Sequence, residues 1–262
     1  MNERIVLVGA GNMATVMAYA LKESGNAPVA VWSRTVESAA LLGGRVGCAF
    51  TNDIASLPAA DVVIISVPDN TLHDVAAAAA QCFPDALLLH TAGSIPMDAL
   101  REAGATRYGV LYPMQTVNKN SPVSLKGVTT FIEGCDDAVT EIVEKIACLI
   151  SDKVVYASSE QRSSLHVAAV FACNFVNAMY SMSAEILGNQ GLPFEIMHTL
   201  IDETAAKIHT LSPAEAQTGP ARRRDETIIE RQRAMLTGEY KEIYDLVTRY
   251  IISKADEIRN TK

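Results

Sequence analysis

The stretch that decides the fold is the N-terminal run Arg4-Ile5-Val6-Leu7-Val8-Gly9-Ala10-Gly11-Asn12-Met13-Ala14. An aliphatic run ends at Gly9 and an apolar helical pattern follows within three residues, which predicts a strand, a tight turn and a helix. In this Gly-x-Gly-x-x-Ala spacing, Gly9 permits the turn, Gly11 admits a pyrophosphate to the backbone and Ala14 lets the helix pack closely. The free N–H groups and the dipole of the helix favour phosphate at that end. The stretch indicates a dinucleotide-binding turn, although a turn that binds nothing has the same pattern. The predicted binding residues in it are Gly9, Gly11, Asn12 and Met13.

The composition of the chain narrows the classes of partner. The 262 residues carry a formal net charge of −8, so no global basic field favours nucleic acid or an anionic membrane. The five cysteines are scattered and form no Cys-x-x-Cys pair, which supports neither a metal site nor a disulfide framework. Because the first strand starts close to Met1, we expect no signal peptide and a cytoplasmic protein.

The alternation of strands and helices predicts two domains. Strands are expected at residues 5–8, 28–32, 48–50, 61–67, 86–89, 107–111, 128–132 and 153–155, with helices between most of them. From residue 158 onward the strand signal disappears and four or five helices are expected. The fold class is therefore α/β, with a doubly wound, Rossmann-type domain at 1–157 and an all-α domain at 158–262.

The end of the second predicted strand bears on the choice of cofactor. Ser33 and Arg34 stand there, whereas NAD-binding turns carry a carboxylate for the ribose hydroxyls. A guanidinium can instead bind the 2′-phosphate of NADP and stack on adenine. These two residues therefore indicate NADP, the alternative being that Arg34 is an ordinary solvated side chain.

The loops after the central strands should form the rest of the ligand crevice, because ligands of such sheets bind at the carboxyl ends of the strands. His90, at the end of one strand, is either catalytic or a satisfied structural histidine. The residues expected to line the nicotinamide side are Val67, Pro68, Asp69, Thr71, Thr91, Ala92 and Gly93.

The first predicted helix of the second domain, residues 159–187, is apolar almost all round. The 22 residues between Arg162 and Glu185 include no acidic or basic side chain. A segment of this length could span a bilayer. A helix buried within its domain or against a partner subunit is the preferred interpretation, because polar residues interrupt the segment and no basic or aromatic flank follows. At 100° per residue, His166 and Asn177 share a flank with Asn174, and this polar stripe either bonds to other helices or faces the crevice between the domains.

A second polar cluster precedes a later helix. Asp225 is expected to cap that helix. The three arginines before it, Arg222 to Arg224, are either a solvated charge run or an anion site.

With these motifs in hand, the chain resembles the Rossmann-like proteins that carry the helical domain of unknown function 2520. Those proteins are described as NADP-linked or deazaflavin-linked oxidoreductases and are distantly related to pyrroline-5-carboxylate reductase and ketopantoate reductase. In the first domain the resemblance rests on residues 8–13, 66–69, 90–93 and 113–116, and in the second on 166–174 and on 218–220 with Arg223 and Asp225.

The resemblance implies site residues and also shows two departures. The family places a His-Pro pair where this chain has Tyr112-Pro113, and Arg-Gly-Asp where it has Arg223-Arg224-Asp225. By analogy with the wider β-hydroxyacid dehydrogenase superfamily, His166 would donate a proton and Asn174 would hold the substrate, with no lysine on that helix. The further substrate contacts expected from the resemblance are Tyr112, Asn177 and Arg223.

Two functions follow as hypotheses. The first is an NADP(H)-dependent oxidoreductase that passes hydride to or from a carbonyl or imine of a small polar metabolite in the interdomain cleft. The second is a non-catalytic NADP-binding sensor, favoured by the missing lysine and by Tyr112. The resemblance further implies a homodimer formed through the helical domain, and no metal is expected.

Overall fold

The computed structural model describes residues 3–120 and 123–260. Its eight strands lie in a single sheet in the order β3-β2-β1-β4-β5-β6-β7-β8, which is the doubly wound arrangement that the sequence predicts. The strands are β1 (Ile5–Val8), β2 (Ala30–Trp32), β3 (Ala49–Thr51), β4 (Val62–Ile65), β5 (Leu87–His90), β6 (Arg107–Pro113), β7 (Thr129–Gly134) and β8 (Lys153–Tyr156).

Strand direction changes once across this sheet. Neighbouring strands from β3 to β6 are parallel. Strand β7 pairs antiparallel with β6, Leu111 opposite Ile132, and β8 is parallel to β7. The sequence did not predict this reversal, because a fully buried strand has the same apolar pattern in either direction.

Helices cover both faces of the sheet, and the side-chain alternation of β1 shows how. Ile5 and Leu7 pack in one core with the helices α1 (Asn12–Glu23), α2 (Val36–Val46) and α5 (Asp137–Ile150). Val6 and Val8 belong to the opposite core, with α3 (Leu72–Cys82) and α4 (Asp98–Glu102). Because successive residues of a strand point to opposite faces, a strand buried on both sides must be apolar at every position.

The chain divides into two compact units, Met1–Asn174 and Phe175–Lys262. The last strand ends at Tyr156, close to the predicted boundary at residue 157, but the first half of the following long helix lies within the first unit. The helices after β8 are α6 (Ser159–Ala169), α7 (Val176–Gly188), α8 (His198–Lys207), α9 (Pro213–Ala216), α10 (Pro220–Arg223), α11 (Glu226–Arg233) and α12 (Gly238–Asn260).

The long helix is not a regular α-helix. Between α6 and α7 the segment Val170–Phe175 is a π-helix, which has more residues per turn and shifts the phase of everything after it. The angle of 100° per residue that was used to predict a polar stripe through His166, Asn174 and Asn177 does not hold across the π segment.

The same helix is also not buried within the chain. Val167, Phe171 and Met179 are 55%, 65% and 40% exposed, which excludes the expectation that it is a core helix of its own domain. Among the described residues, Ser159–Gly188 is the one helix whose length and composition would allow it to cross a membrane, and none of its most apolar stretch is buried.

The turn before α11 contains a short helix that the sequence did not indicate. Pro220 begins α10, which ends before Arg224, and Arg224 lies in the left-handed region at φ 56°. This conformation favours glycine, and glycine is the residue that the resembled family has there. As expected, Asp225 caps α11 by accepting a hydrogen bond from the Ile228 N–H.

Candidate cofactor site

The glycine turn contains two glycines with different constraints. Gly9 has φ 128°, and a Cβ placed there would lie 2.1 Å from the carbonyl oxygen of Ser66. The turn after β1 thus needs glycine in order to pass the end of β4. Gly11 caps α1 without a side-chain hydrogen bond, and a Cβ there would meet no protein atom within 4 Å. The space over Gly11 is open, as the approach of a pyrophosphate to this turn requires.

The end of β2 offers donors and a cation but no carboxylate. Ser33 and Arg34 follow Trp32, and Arg34 is exposed. No ion pair within residues 3–120 and 123–260 involves Arg34. The Thr35 hydroxyl donates to the Ser38 hydroxyl at 2.9 Å. An unpaired guanidinium beside hydroxyl groups suits a phosphate monoester.

These elements surround a cavity of about 730 Å³ within the first unit. It holds every predicted cofactor residue: Gly9, Gly11, Asn12, Met13, Ser33, Arg34, Val67, Pro68, Asp69, Thr71, Thr91, Ala92 and Gly93. Seven further residues line the cavity but were not predicted to do so: Ala10, Trp32, Thr35, Ser38, Ser66, Asp74 and Val75.

Hydrogen bonds between neighbouring loops fix the cavity wall beyond the glycine turn. The Thr91 hydroxyl donates to the Ser66 hydroxyl at 3.1 Å, which joins the ends of β4 and β5. The Ser94 hydroxyl donates to the Asp69 carboxylate across the same two loops. The Asn12 side-chain oxygen accepts from the Lys119 N–H at 3.2 Å. These bonds tie together the loops that form the wall.

Two side chains from different elements, β6 and α6, meet in the wall of the cavity. Tyr112 lies at the end of β6 and His166 on α6, and the phenol oxygen is 3.2 Å from His166 Nδ1. Both residues line the cavity. A Cβ on Gly93 would lie 2.6 Å from His166 Nδ1 and 2.8 Å from Tyr112 Cζ. Glycine at position 93 is therefore what allows this pair to reach the loop after β5.

His90 is structural. Its side chain is fully buried, and its Nδ1 accepts the Ala92 N–H at 3.2 Å. Burial, with a smaller contribution from the Arg162 charge, lowers the pKa of His90 to about 3. The neutral imidazole holds the backbone of the Ala92 loop and does not line the cavity. The sequence left open a catalytic and a structural role for His90, and these features agree with the structural one.

A buried ion pair sets the start of α6. Arg162 is 1% exposed, and its Nη1 donates to the Glu133 carboxylate of β7 at 2.6 Å. Its other terminal nitrogen donates to the Ile95 carbonyl at 2.7 Å. The Ser159 N–H and hydroxyl also donate to Glu133, at 2.9 and 2.7 Å. This network, together with a capping box of Ser158 and Gln161, fixes the helix turn that carries His166. Sequence reasoning missed it, and the one available signal was a glutamate inside an otherwise buried strand.

Three predicted site residues are not among those that line this cavity. Asn174 is exposed in the π segment of the first unit. Asn177 and Arg223 are exposed in the second unit. Of the neighbouring arginines, Arg224 is paired with Asp256. The cavity thus brings together Tyr112 and His166 from the predicted substrate and catalytic residues, and no others.

Metal ligation has no support in the part of the chain that the structure describes. No group of three or more histidine, cysteine or carboxylate side chains is placed to hold an ion there. All five cysteines are free.

The comparisons with known proteins agree with this arrangement. Residues 4–92 match the family model of coenzyme F420-dependent NADP oxidoreductases, and residues 128–251 match the domain of unknown function 2520, DUF2520. A protein from Bacteroides fragilis, provisionally described as an NADP oxidoreductase, is 44% identical over 96% of this chain and 98% of its own, with a TM-score of 0.90. The chain belongs to this DUF2520 family of NADP oxidoreductase-like proteins. Because the DUF2520 match begins at residue 128, this domain of the family includes β7, α5 and β8 as well as the helices that follow.

Two further solved structures are similar over nearly the whole chain. A Thermotoga maritima protein is 26% identical over 97% of this chain and 99% of its own, with a TM-score of 0.72. A reductive aminase from Aspergillus terreus, solved with NADPH and ethyl-5-oxohexanoate, is 18% identical over 98% of this chain and 100% of its own, with a TM-score of 0.71. The second likeness concerns the fold alone. No curated protein matches the DUF2520-family chain in sequence.

Proposed function

We propose that this DUF2520-family protein is an NADP(H)-dependent oxidoreductase that transfers hydride to or from a carbonyl or imine of a small polar metabolite. The proposal rests on one cavity whose wall contains the glycine turn, Arg34 and the Tyr112–His166 pair. A dinucleotide bound along such a cavity would present its nicotinamide to one end and its adenosine to the other.

The residues present fit NADP in three ways. The space above Gly11 would admit the pyrophosphate, because no protein atom lies where a side chain would be. Arg34 has no carboxylate partner in the described ranges and can bind a 2′-phosphate. The indole N–H of Trp32, a residue of the cavity wall, has no hydrogen-bond partner among the described residues. NADPH is also the ligand of the reductive aminase that shares this fold.

When bound, the reduced nicotinamide supplies the hydride. The protein side chains would then have to hold the substrate carbonyl or imine against it and manage one proton. His166 is the cavity residue best suited to move a proton near neutral pH. The loop of Ala92 and Gly93, held by His90, would form the wall beside the reacting carbon.

The test is an NADPH oxidation assay against a panel of small keto acids, aldehydes and imino acids. We expect at least one class to be reduced. The His166→Ala variant should bind NADPH as the unmodified protein does but lose activity by about 10²-fold or more, the usual contribution of one acid–base group. His209→Ala, a histidine in the second unit, is the matched control. If NADPH binds and no class is turned over in either direction, the protein is a cofactor sensor; if NADPH does not bind, the proposal fails.

The exposed apolar surfaces favour a homodimer. Among the described residues of the second unit, the buried apolar side chains are Ala221, Ile229 and Ala255 alone. A unit of this size normally buries a much larger core, so a further surface must cover it. A second copy of this chain would do so with the same residues from both sides, and we include that assembly in the proposed function.

A further inference from the structure

We propose that Tyr112 is a positioning residue that fixes the proton of His166 on Nε2, making that nitrogen the donor to a substrate carbonyl oxygen. This inference rests on the proposed function, but its geometric part does not. The family resemblance implies that Tyr112 contacts the substrate. The 3.2 Å separation of the phenol oxygen and His166 Nδ1 assigns it a different task.

A neutral phenol can donate to an imidazole nitrogen or accept from one, and the proposal is that Tyr112 donates. Burial raises the pKa of Tyr112 above its usual value of about 10, with the Arg162 charge acting against it. Tyr112 is therefore a neutral phenol near pH 7 and has one proton to donate. When it donates to Nδ1 of a neutral imidazole, the ring proton must be on Nε2.

The described contacts of the His166 ring lie on its Nδ1 side. Gly93 has no side chain and lies against the Nδ1 side, where a Cβ would be 2.6 Å from that nitrogen. Because the two ring nitrogens point in different directions, Nε2 faces away from the Tyr112 hydroxyl. His166 lines the cavity, so a substrate in it can accept a hydrogen bond from Nε2. The Arg162 charge acts on both Tyr112 and His90, Arg162 is itself paired with Glu133, and Asp69 lines the same cavity.

The proton balance of the step is simple. The carbonyl carbon gains a C–H bond with the hydride pair, its C=O π pair moves to oxygen, and that oxygen takes the Nε2 proton. The Tyr112 proton moves to Nδ1 at the same time, so that no imidazolate forms. The step leaves Tyr112 as a phenolate, which its burial disfavours and the Arg162 charge favours. The pair then regains one proton from water, and no oxidant or reductant beyond the proposed cofactor is needed.

Ring packing alone is the competing explanation for this contact. The Tyr112 and His166 rings meet edge-on at 6.2 Å, and Tyr112 stacks on Phe131 at 6.4 Å. Packing would survive the loss of the hydroxyl, whereas tautomer selection would not. A variant that keeps the ring and removes only the oxygen therefore separates the two explanations.

The experiment is long-range ¹H–¹⁵N correlation NMR on the full-length protein labelled with ¹⁵N-histidine, without cofactor. The His166 signals are assigned by their absence from the spectrum of His166→Asn. We expect His166 to carry its proton on Nε2 alone, with Nδ1 at the position of a hydrogen-bonded acceptor. In Tyr112→Phe this single form should be lost, and the Nδ1-protonated tautomer should appear beside it.

Two variants serve as controls. Tyr108→Phe removes a hydroxyl from the same strand, and Phe131→Leu removes the stacked ring but keeps the phenol; neither should change the His166 tautomer. A proton on Nδ1 in the unmodified protein, or a Tyr112→Phe spectrum equal to it, would overturn the inference. NADPH titration of the same samples tests the proposed function independently, because the tautomer is measured without the cofactor.

Discussion

Gly9 and Gly11 are alike in the sequence motif but have different reasons to be glycine. At Gly9 the reason is internal, because φ is 128° and the Ser66 carbonyl occupies the place of a side chain. At Gly11 the backbone is extended, with φ −78° and ψ −168°, and the space is empty. One glycine is therefore needed by the fold and the other by a ligand.

This difference predicts opposite behaviour of two alanine variants. Gly9→Ala should lose about 2–5 kcal/mol of unfolding free energy, from left-handed strain and overpacking. Gly11→Ala should stay within about 0.5 kcal/mol of the unmodified protein, as an unstrained surface change does. It should nevertheless weaken NADPH binding at least tenfold, or about 1.4 kcal/mol. Urea unfolding and fluorescence titration measure the two effects, and a Gly11→Ala protein that binds NADPH normally would contradict this assignment.

The buried His90 predicts a pH dependence of stability. The unfolded imidazole takes up a proton below about pH 6.5, whereas the folded one stays neutral until about pH 3. The unfolded state therefore binds more protons between these values, and the stability contributed by this residue falls as the pH falls, by up to about 1.4 kcal/mol per pH unit. His90→Asn keeps an acceptor for the Ala92 N–H without titrating. Its urea midpoint should fall less between pH 7 and pH 4 than that of the unmodified protein; equal slopes would show that His90 is not the cause.

It was easier to predict from the sequence which residues line the cavity than to predict the role of each residue. The predicted cofactor residues all follow from one rule, that ligands of parallel sheets bind at the carboxyl ends of the strands. The Tyr112–His166 contact joins residues 54 positions apart, and no local pattern encodes such a distance. Asn174 was chosen by analogy and lies outside the cavity lining, because an analogy between families carries no local geometry.

At the scale of elements, the informative part is the start of α6. A capping box and the Arg162–Glu133 pair hold its first two turns against β7, and His166 follows one turn after Arg162. The π segment begins four residues later, at Val170. Helical periodicity predicted the helix but not this interruption, because apolar residues at every position give no phase that a π turn would break.

Breaking the buried pair should destabilise the protein strongly. Arg162→Met leaves the Glu133 carboxylate buried without its partner, and such losses cost about 3–5 kcal/mol. Removing both charges in Arg162→Met with Glu133→Leu should cost less than the sum of the two single changes, because no charge is then left uncompensated. Urea unfolding of the two single variants and the double variant measures this coupling. A single Arg162→Met change that costs less than about 1 kcal/mol would contradict a structural role of this size.

At the scale of the whole molecule, the sequence predicted the sheet better than the environment of the helices. Three neighbouring strands, β2, β1 and β4, have apolar residues at every position, which implies a sheet covered on both faces, and this sheet has helices on both. A helix that is apolar on every side implies only that an apolar surface packs against it, and that surface can belong to another chain. In α12, Leu246 and Tyr250 are also exposed apolar side chains, at 61% and 63%.

The proposed homodimer gives a mass prediction. Light scattering during size exclusion should report about twice the 28.1 kDa of one chain. Leu246→Glu places a charge on the exposed apolar surface and should shift the protein toward the monomer, since unpaired charge is costly in an interface core. Leu41→Glu, on an exposed position of α2 in the first unit, should leave the dimer intact. A monomeric unmodified protein would contradict the assembly, and partition of that protein into lipid vesicles would favour a membrane as the cover of the long helix.

Binding of NADP(H) in the cavity can be measured by titration with NADPH and with NADH, followed by nicotinamide fluorescence. We expect micromolar NADPH binding, with NADH weaker by about tenfold or more, a difference of about 1.4 kcal/mol that Arg34 supplies. Arg34→Ala should remove most of that preference. If neither nucleotide binds below about a millimolar, equivalent to about −4 kcal/mol, the cavity is not a dinucleotide site and the proposed oxidoreductase activity is wrong with it.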